Sequence, residues 1–286
     1  HSQIKGTEYL GCDDMNEPRT NLCELSLNGP QATIMLKRVE AYNALNIELI
    51  SEITTLLDWT SDHSQTKGGF LRVLHLCAEG RHFCAGADVN MMRDAGSKSE
   101  EENRRDSERL DGLFHRLWSH PCFTIGRVQG VALGGGAGLV ACLDHVIAEP
   151  NTKIALSEVK LGILPAVIGP YVYRRLGSAN FRRLSMLAGK IDSKEALRVG
   201  FIDQLVHSES SLATASVEVA EEILTSAPTA VSRVKGLTAR LDNWDGTDEA
   251  LRSWTLDLTS EMRGSVEGQE GLSAFLEKRD PSWKKH

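Results

Sequence analysis

Apolar and polar positions alternate in two short runs near the start of the chain, "LCELSL" (Leu22 to Leu27) and "ATIMLK" (Ala32 to Lys37), with "NGP" between them. Period-two alternation on either side of a turn triplet predicts a β-hairpin. The period then changes: in "NIELISEITTLLDW", Leu49, Ile53, Leu56 and Leu57 recur at helical spacing, and Asn46 stands where its side chain can cap the first turn. "FLRVLHLCAEG" reads as the next strand. The same succession then returns as a charged amphipathic helix carrying Leu110, Leu113, Phe114 and Leu117, a strand "FTIGRV", a glycine-rich turn opening an apolar helix, and a strand around "HVIAE". Strands joined by short turns and punctuated by helices predict a mixed α/β core of repeated ββα units.

From about Val206 the strand signal fades, and residues 211–278 carry helical patterns such as "ASVEVAEEILTSA" and "LRSWTLDLTSEM". The expected organisation is a loose polar arm (1–20), a core (21–210) and a helical C-terminal region (211–286). That last region is too thin to own a large core, so it should pack on the main domain or on another subunit.

Composition narrows the function classes. The chain has 286 residues, 41% of them hydrophobic and 25% charged, with a net charge of −7. These are the proportions of a globular protein, and the acidic balance argues against a general nucleic-acid or anionic-membrane surface. No apolar run reaches the roughly 18 residues of a membrane span, and no secretory signal is visible. The chain opens at His1 rather than a methionine, which reads as a processed or trimmed form, so its start does not show whether a targeting segment preceded it. Six cysteines (Cys12, Cys23, Cys77, Cys84, Cys122 and Cys142) are scattered without a CxxC, the pattern of reduced core thiols.

Three local stretches carry candidate chemistry. In "GVALGGGAGL", Gly134, Gly135 and Gly136 can present backbone amides at a helix start, which suits an oxyanion or a phosphate and equally suits a packing joint. The Lys and Ser/Thr of a phosphate loop do not follow, and neither the GxGxxG register nor the acidic residue of a dinucleotide site is present. "FCAGADVNMM" places the small residues Ala85, Gly86 and Ala87 after a strand, with Asp88 as a potential helix cap. Two such loops can aim two amides at one oxygen. In "IALSEVKLGILPA", Glu158 lies among Leu156, Val159, Leu161 and Ile163, where a glutamate is either solvated or desolvated enough to exchange protons near neutrality. His115 and His120 are five apart, off one helical face, and no metal-binding cluster is expected. His75 reads as a core histidine. Asp144 reads as a polar clamp between helix and strand rather than a triad member, since no GxSxG accompanies it.

Taken together, "AYNALN", "FCAGADV", "VQGVALGGGAGL", "SEVKLGILPA", "EALRVGFIDQLV" and "EGQEGLSAFLEKRDPSW" resemble the crotonase (enoyl-CoA hydratase/isomerase) superfamily from about Leu22 to Trp283. The resemblance implies a spiral of ββα units with a helical C-terminal region, assembled as homotrimers or homohexamers. It also implies an acyl-CoA thioester as substrate, with no separate cofactor. By position, the amides of Ala87 and Gly135 would hold the thioester oxygen and Glu158 would be the catalytic acid/base. Ala85 and Ala87, Asp88, Val89 and Asn90 would line the CoA path, with Ala41 near the adenine end. Phe275 and Lys278 would reach CoA, often that of a neighbouring subunit, although a plain surface role fits Lys278 as well.

Many hydratases of this family use two glutamates, and Gly138 occupies the place of the first. The wider resemblance is to methylglutaconyl-CoA hydratases, which implies hydration of 3-methylglutaconyl-CoA to 3-hydroxy-3-methylglutaryl-CoA in leucine breakdown. In known relatives that pathway is mitochondrial in eukaryotes and cytoplasmic in bacteria. A Δ3,Δ2-enoyl-CoA isomerase, which needs one shuttling base, is the alternative. A noncatalytic or RNA-binding role is a third, against which the acidic balance counts. A distal carboxylate on the substrate would need a cationic or multi-donor partner, for which Arg93, Lys160, Tyr171 and Arg174 are candidates.

Overall fold

The computed structural model describes residues 16–284 apart from residue 208. Of the expected N-terminal arm only residues 16–20 are described, without regular structure; the rest, Cys12 included, lies outside the described residues. The hairpin forms as β1 (Cys23–Asn28) and β2 (Gln31–Leu36), paired antiparallel, and Ile34 and Leu36 turn their side chains into the core. In α1 (Ile47–Asp62), Asn46 accepts a hydrogen bond from the Leu49 amide at 2.8 Å, and Leu49, Ile53, Leu56 and Leu57 are buried along one face. A half-buried helix stripe over an alternating strand is what the two periods require.

Further turns of the spiral follow. They comprise β3 (Val73–Ala78), α2 (Val89–Ala95), α3 (Glu100–Trp118), β4 (Phe123–Val128), β5 (Val131–Leu133), α4 (Gly135–Cys142), β6 (His145–Ala148), β7 (Lys153–Ala155), α5 (Gly169–Leu187), β8 (Ile191–Asp192), α6 (Ser193–Val199) and β9 (Gln204–Leu205). One strand of a turn enters a six-stranded sheet of order β1-β2-β3-β4-β6-β9, and the next enters a smaller sheet of order β5-β7-β8. Isolated parallel bridges Leu45↔Ala87 and Cys84↔Ala132 extend the small layer to the segments after β2 and β3. Loops from successive turns therefore run side by side, and this positions the site.

The large sheet is covered on both faces. The main core packs α1, α3 and α4 against one, while α7 (Glu209–Leu224) lays Leu212, Ala215 and Leu224 on Val73, Ile125 and Ile147 of the other. Every residue of β3 is buried, as a parallel strand with two covered faces requires. On that strand His75 bonds Gln31 Oε1 at 2.9 Å, and burial followed by the charge of Arg127 pulls its pKa down to about 4, so it is a neutral core group. Asp144 clamps as expected: its Oδ2 accepts from the Thr124 amide at 2.8 Å and from Lys235 Nζ at 2.7 Å.

The remaining helices are α8 (Pro228–Asp242), α9 (Asp248–Gly264) and α10 (Val266–Glu277). Neither α8 nor α9 has a fully buried side chain. They are tethered through polar contacts such as Lys235 to the His120 and Cys122 carbonyls. Among the described residues no helix is long and apolar enough to cross a membrane.

Candidate active site

The bridge between Leu45 and Ala87 decides where the Ala87 amide points. Leu45 donates to the Gly86 carbonyl at 2.7 Å and accepts from the Asp88 amide at 3.0 Å. In such parallel pairing the intervening residue turns its own N–H the other way. Ala87 is exposed, and its N–H donates to no acceptor among the described residues. Next to this loop runs β5, held by Leu133 N to Cys84 O at 3.1 Å and Cys84 N to Val131 O at 3.1 Å. The approach is close. Gly86 has φ +102°, and a Cβ there would lie 2.8 Å from the Leu133 carbonyl oxygen and 3.9 Å from the Gly135 nitrogen. Only glycine allows both the conformation and the contact.

Gly135 opens α4, and its amide likewise has no acceptor among the described residues. Two unspent N–H donors, one at a helix N-terminus, are thus brought together by adjacent turns of the spiral. Glu158 completes the cluster from a 3-10 turn (Glu158–Leu161) that follows β7. Its Oε1 would lie 3.3 Å from a Cβ placed on Gly134, while its Oε2 is buried without a hydrogen-bond partner among the described residues. Burial raises the carboxyl above the usual glutamate range, and a hydrogen bond from its own backbone amide offsets this only in part.

The source of that burial differs from the sequence reading. Leu156 is fully buried, but Leu161 and Ile163 are 61% and 54% exposed, because the turn ends at Gly162 in the left-handed region and the chain swings outward. They do not desolvate Glu158.

Gly138 lies one helical turn beyond Gly135, in the interior of α4. A Cβ on it would press into Ile168 Cγ2 and stand 2.9 and 3.0 Å from Phe114 Cζ and Cε1. The place of a second carboxylate is therefore an apolar wall, which local sequence could not reveal because α3, α4 and α5 each supply part of it or its support. Behind it Tyr171 packs on Phe114 at 5.9 Å, and its hydroxyl donates to Asp111 Oδ1 at 3.1 Å. Tyr171 is buried and already bonded, so its candidacy for a substrate carboxylate is withdrawn.

The other expected binding residues fall on two surfaces. Ala41 ends a 3-10 turn (Val39–Ala41); the Ala85 amide donates to the Tyr42 carbonyl at 3.0 Å, while the Ala85 carbonyl accepts no backbone hydrogen bond among the described residues. Val89 and Asn90 are exposed at the start of α2. Asp88 caps α2 through the Asn90 and Met91 amides and pairs with Arg38 at 2.7 Å, so it shapes the loop and its carboxylate is not free for a ligand. Phe275, 78% exposed, and Lys278, left-handed at φ 54°, end α10; among the described residues no hydrogen bond or ion pair links them to the cluster. Cys84 lies beside the site, but burial pushes its thiol up to about 12 and it is not a nucleophile.

A ββα spiral that sets two free amides from neighbouring turns beside one desolvated carboxylate has the crotonase-type frame, an arrangement that can hold an oxygen while a proton moves. The chain matches the enoyl-CoA hydratase/isomerase family model over residues 28–286, and it belongs to that family. Among solved structures, an enoyl-CoA hydratase from Shewanella pealeana superposes with a TM-score of 0.87 at 35% identity, covering 93% of this chain and 97% of that one. The short-chain-enoyl-CoA hydratase of Clostridium acetobutylicum is 30% identical over 89% of this chain and 94% of its own length. The mevalonyl-coenzyme A hydratase sidH of Aspergillus fumigatus is 30% identical over 93% of this chain and 96% of its own.

Proposed function

We propose that the protein hydrates a β-methyl-branched, carboxylated 2-enoyl-CoA, with 3-methylglutaconyl-CoA giving 3-hydroxy-3-methylglutaryl-CoA as the reaction, in leucine breakdown. The observation that carries the mechanism is the lone half-buried carboxylate of Glu158 beside two unspent amides, with the Gly138 position closed by Ile168 and Phe114. The β-methyl branch draws support from the relative named for mevalonyl-coenzyme A, whose acyl group is itself a 3-hydroxy-3-methyl chain.

Glu158, ionised, takes a proton from water as the water oxygen bonds to C3. The C2=C3 π electrons move toward the thioester, and the negative charge collects on its oxygen, where the Ala87 and Gly135 N–H groups hold it. One such donor is typically worth about 3–4 kcal/mol in the transition state. Glu158 then returns the proton to C2 and the enolate collapses, so water has added across the double bond and the carboxylate is regenerated. Ala41, Ala85 and residues 87–90 line the CoA path in this reading. Phe275 and Lys278 act from a neighbouring subunit of a homotrimer or homohexamer, consistent with their exposure on the single chain.

The lone carboxylate also suits the alternative, migration of a double bond from C3 to C2, because one base can carry the proton between carbons. Turnover in ¹⁸O-labelled water separates the two. Hydration incorporates one labelled oxygen at C3 of the product. Double-bond migration from a 3-enoyl-CoA with no label in the product would favour the isomerase instead.

A further inference from the structure

We infer that Arg174 recognises the far-end carboxylate of the acyl chain and so sets substrate choice; this rests on the carboxylated-substrate reading above. A cleft of about 910 Å³ is lined by Val159, the covalent neighbour of Glu158, and by Leu164, Tyr173, Phe181 and Met186 of α5 and the segment before it. Its walls are mostly apolar, as an acyl chain requires, with polar residues that include Ser178, Asp242 and Asn243. Two further polar groups in the lining keep hydrogen-bonding capacity unspent. The Ser185 hydroxyl is buried and has no partner among the described residues, on a residue only 8% exposed. Arg174 turns its Nε toward Asp242 at a long 3.7 Å and lays its guanidinium 5.9 Å from the centre of the Trp118 ring. Its two terminal nitrogens have no acceptor among the described residues.

The adjacent Arg175 shows what a structural arginine does in the same helix. It donates to the Gly200 and Leu143 carbonyls at 2.8 and 2.7 Å and pairs with Asp203 at 2.6 Å. Arg174 by contrast is braced by an aromatic face while its planar fork stays available, the geometry that binds a carboxylate through two parallel hydrogen bonds. Arg174 is itself exposed, as are Arg93 and Lys160, but of the three only Arg174 lines this cleft. Arg182, the cleft's other cation, lies beyond the break in α5 at Gly177 and has no aromatic ring against its guanidinium among the described residues.

The test compares 3-methylglutaconyl-CoA with 3-methylcrotonyl-CoA, the same skeleton with hydrogen in place of the distal carboxylate, using the full chain. The readout is the ratio of kcat/KM for the two thioesters. Wild type favours the carboxylated one. Arg174→Gln lowers the ratio by about 10- to 100-fold, chiefly through KM, as expected for a lost charge-assisted pair. Arg174→Lys, which keeps the charge and the stem but not the fork, gives an intermediate ratio and decides the matter should the glutamine variant fold poorly. Arg93→Gln, Lys160→Gln and Arg182→Gln leave the ratio within about twofold. An unchanged ratio in both Arg174 variants, or a drop in one of the comparison variants instead, overturns the inference while a wild-type preference for the carboxylated thioester keeps the functional reading. A wild type with no such preference overturns both.

Discussion

Glu158→Gln is expected to lower kcat by about 10³- to 10⁴-fold, near the upper end of what one general acid/base contributes. The reason is the isolation of the group: where Gly138 could have offered a second carboxylate, Phe114 and Ile168 fill the space. KM should change little, because the Ala87 and Gly135 amides and the CoA path are untouched. The same variant carries a stability signature. Burial raises the Glu158 carboxyl, so the folded chain holds this proton more tightly than the unfolded chain does. Its contribution to stability is complete below the unfolded carboxylate range and is lost as pH rises through the raised folded value. A glutamine cannot ionise, so the variant should melt above wild type at neutral pH, with the gap closing in acid. Turnover near wild type would remove Glu158 from the mechanism.

Gly138→Glu, the substitution that restores the two-glutamate pattern on paper, is expected to destabilise the chain by about 3 kcal/mol or more. Its Cβ already collides with Ile168 and Phe114, and overpacking of this kind costs about 1–3 kcal/mol. Burying a carboxylate against an isoleucine and a phenylalanine ring adds to that. For a domain of this size the melting temperature should fall by about 6 °C or more. Activity should fall with it. Gly138→Ala carries the collision without the charge and should show a smaller loss. Ile168→Ala in the same chain should recover part of that loss, and the non-additivity of the pair measures the contact. A Gly138→Glu protein as stable as wild type and more active would mean that the wall is not closed.

Much of this was legible in the residues because the signals are local. The hairpin, the Asn46 cap, the stripe of α1, the strand Phe123–Val128 and the Asp144 clamp each depend on neighbours within one or two elements. The three positions that the fold brings together at the candidate site, Ala87, Gly135 and Glu158, were also legible, as small residues after strands and a glutamate in an apolar stretch. The wall at Gly138 was not, because it joins α3, α4 and the residue before α5, and no local pattern records which side chain meets a missing one. Tyr171 and Arg174 looked equivalent as partners for a substrate carboxylate, yet one is spent on Asp111 and the other keeps a free fork. Leu161 and Ile163 misled in the opposite direction, since an apolar residue next to Glu158 in sequence can still face solvent once Gly162 turns the chain.

The central claim is that one carboxylate performs both proton transfers, and the pH dependence of kcat/KM tests it most directly. The working form of Glu158 is ionised, so the rate should rise along a single ascending limb set by its carboxyl, above the usual glutamate range because burial raises it. No descending limb should follow until the thioester itself becomes unstable, and Glu158→Gln should lose the limb along with the rate. A bell with a second limb near neutrality, or an ascending limb that persists in Glu158→Gln, would require another acid or base and would contradict the account.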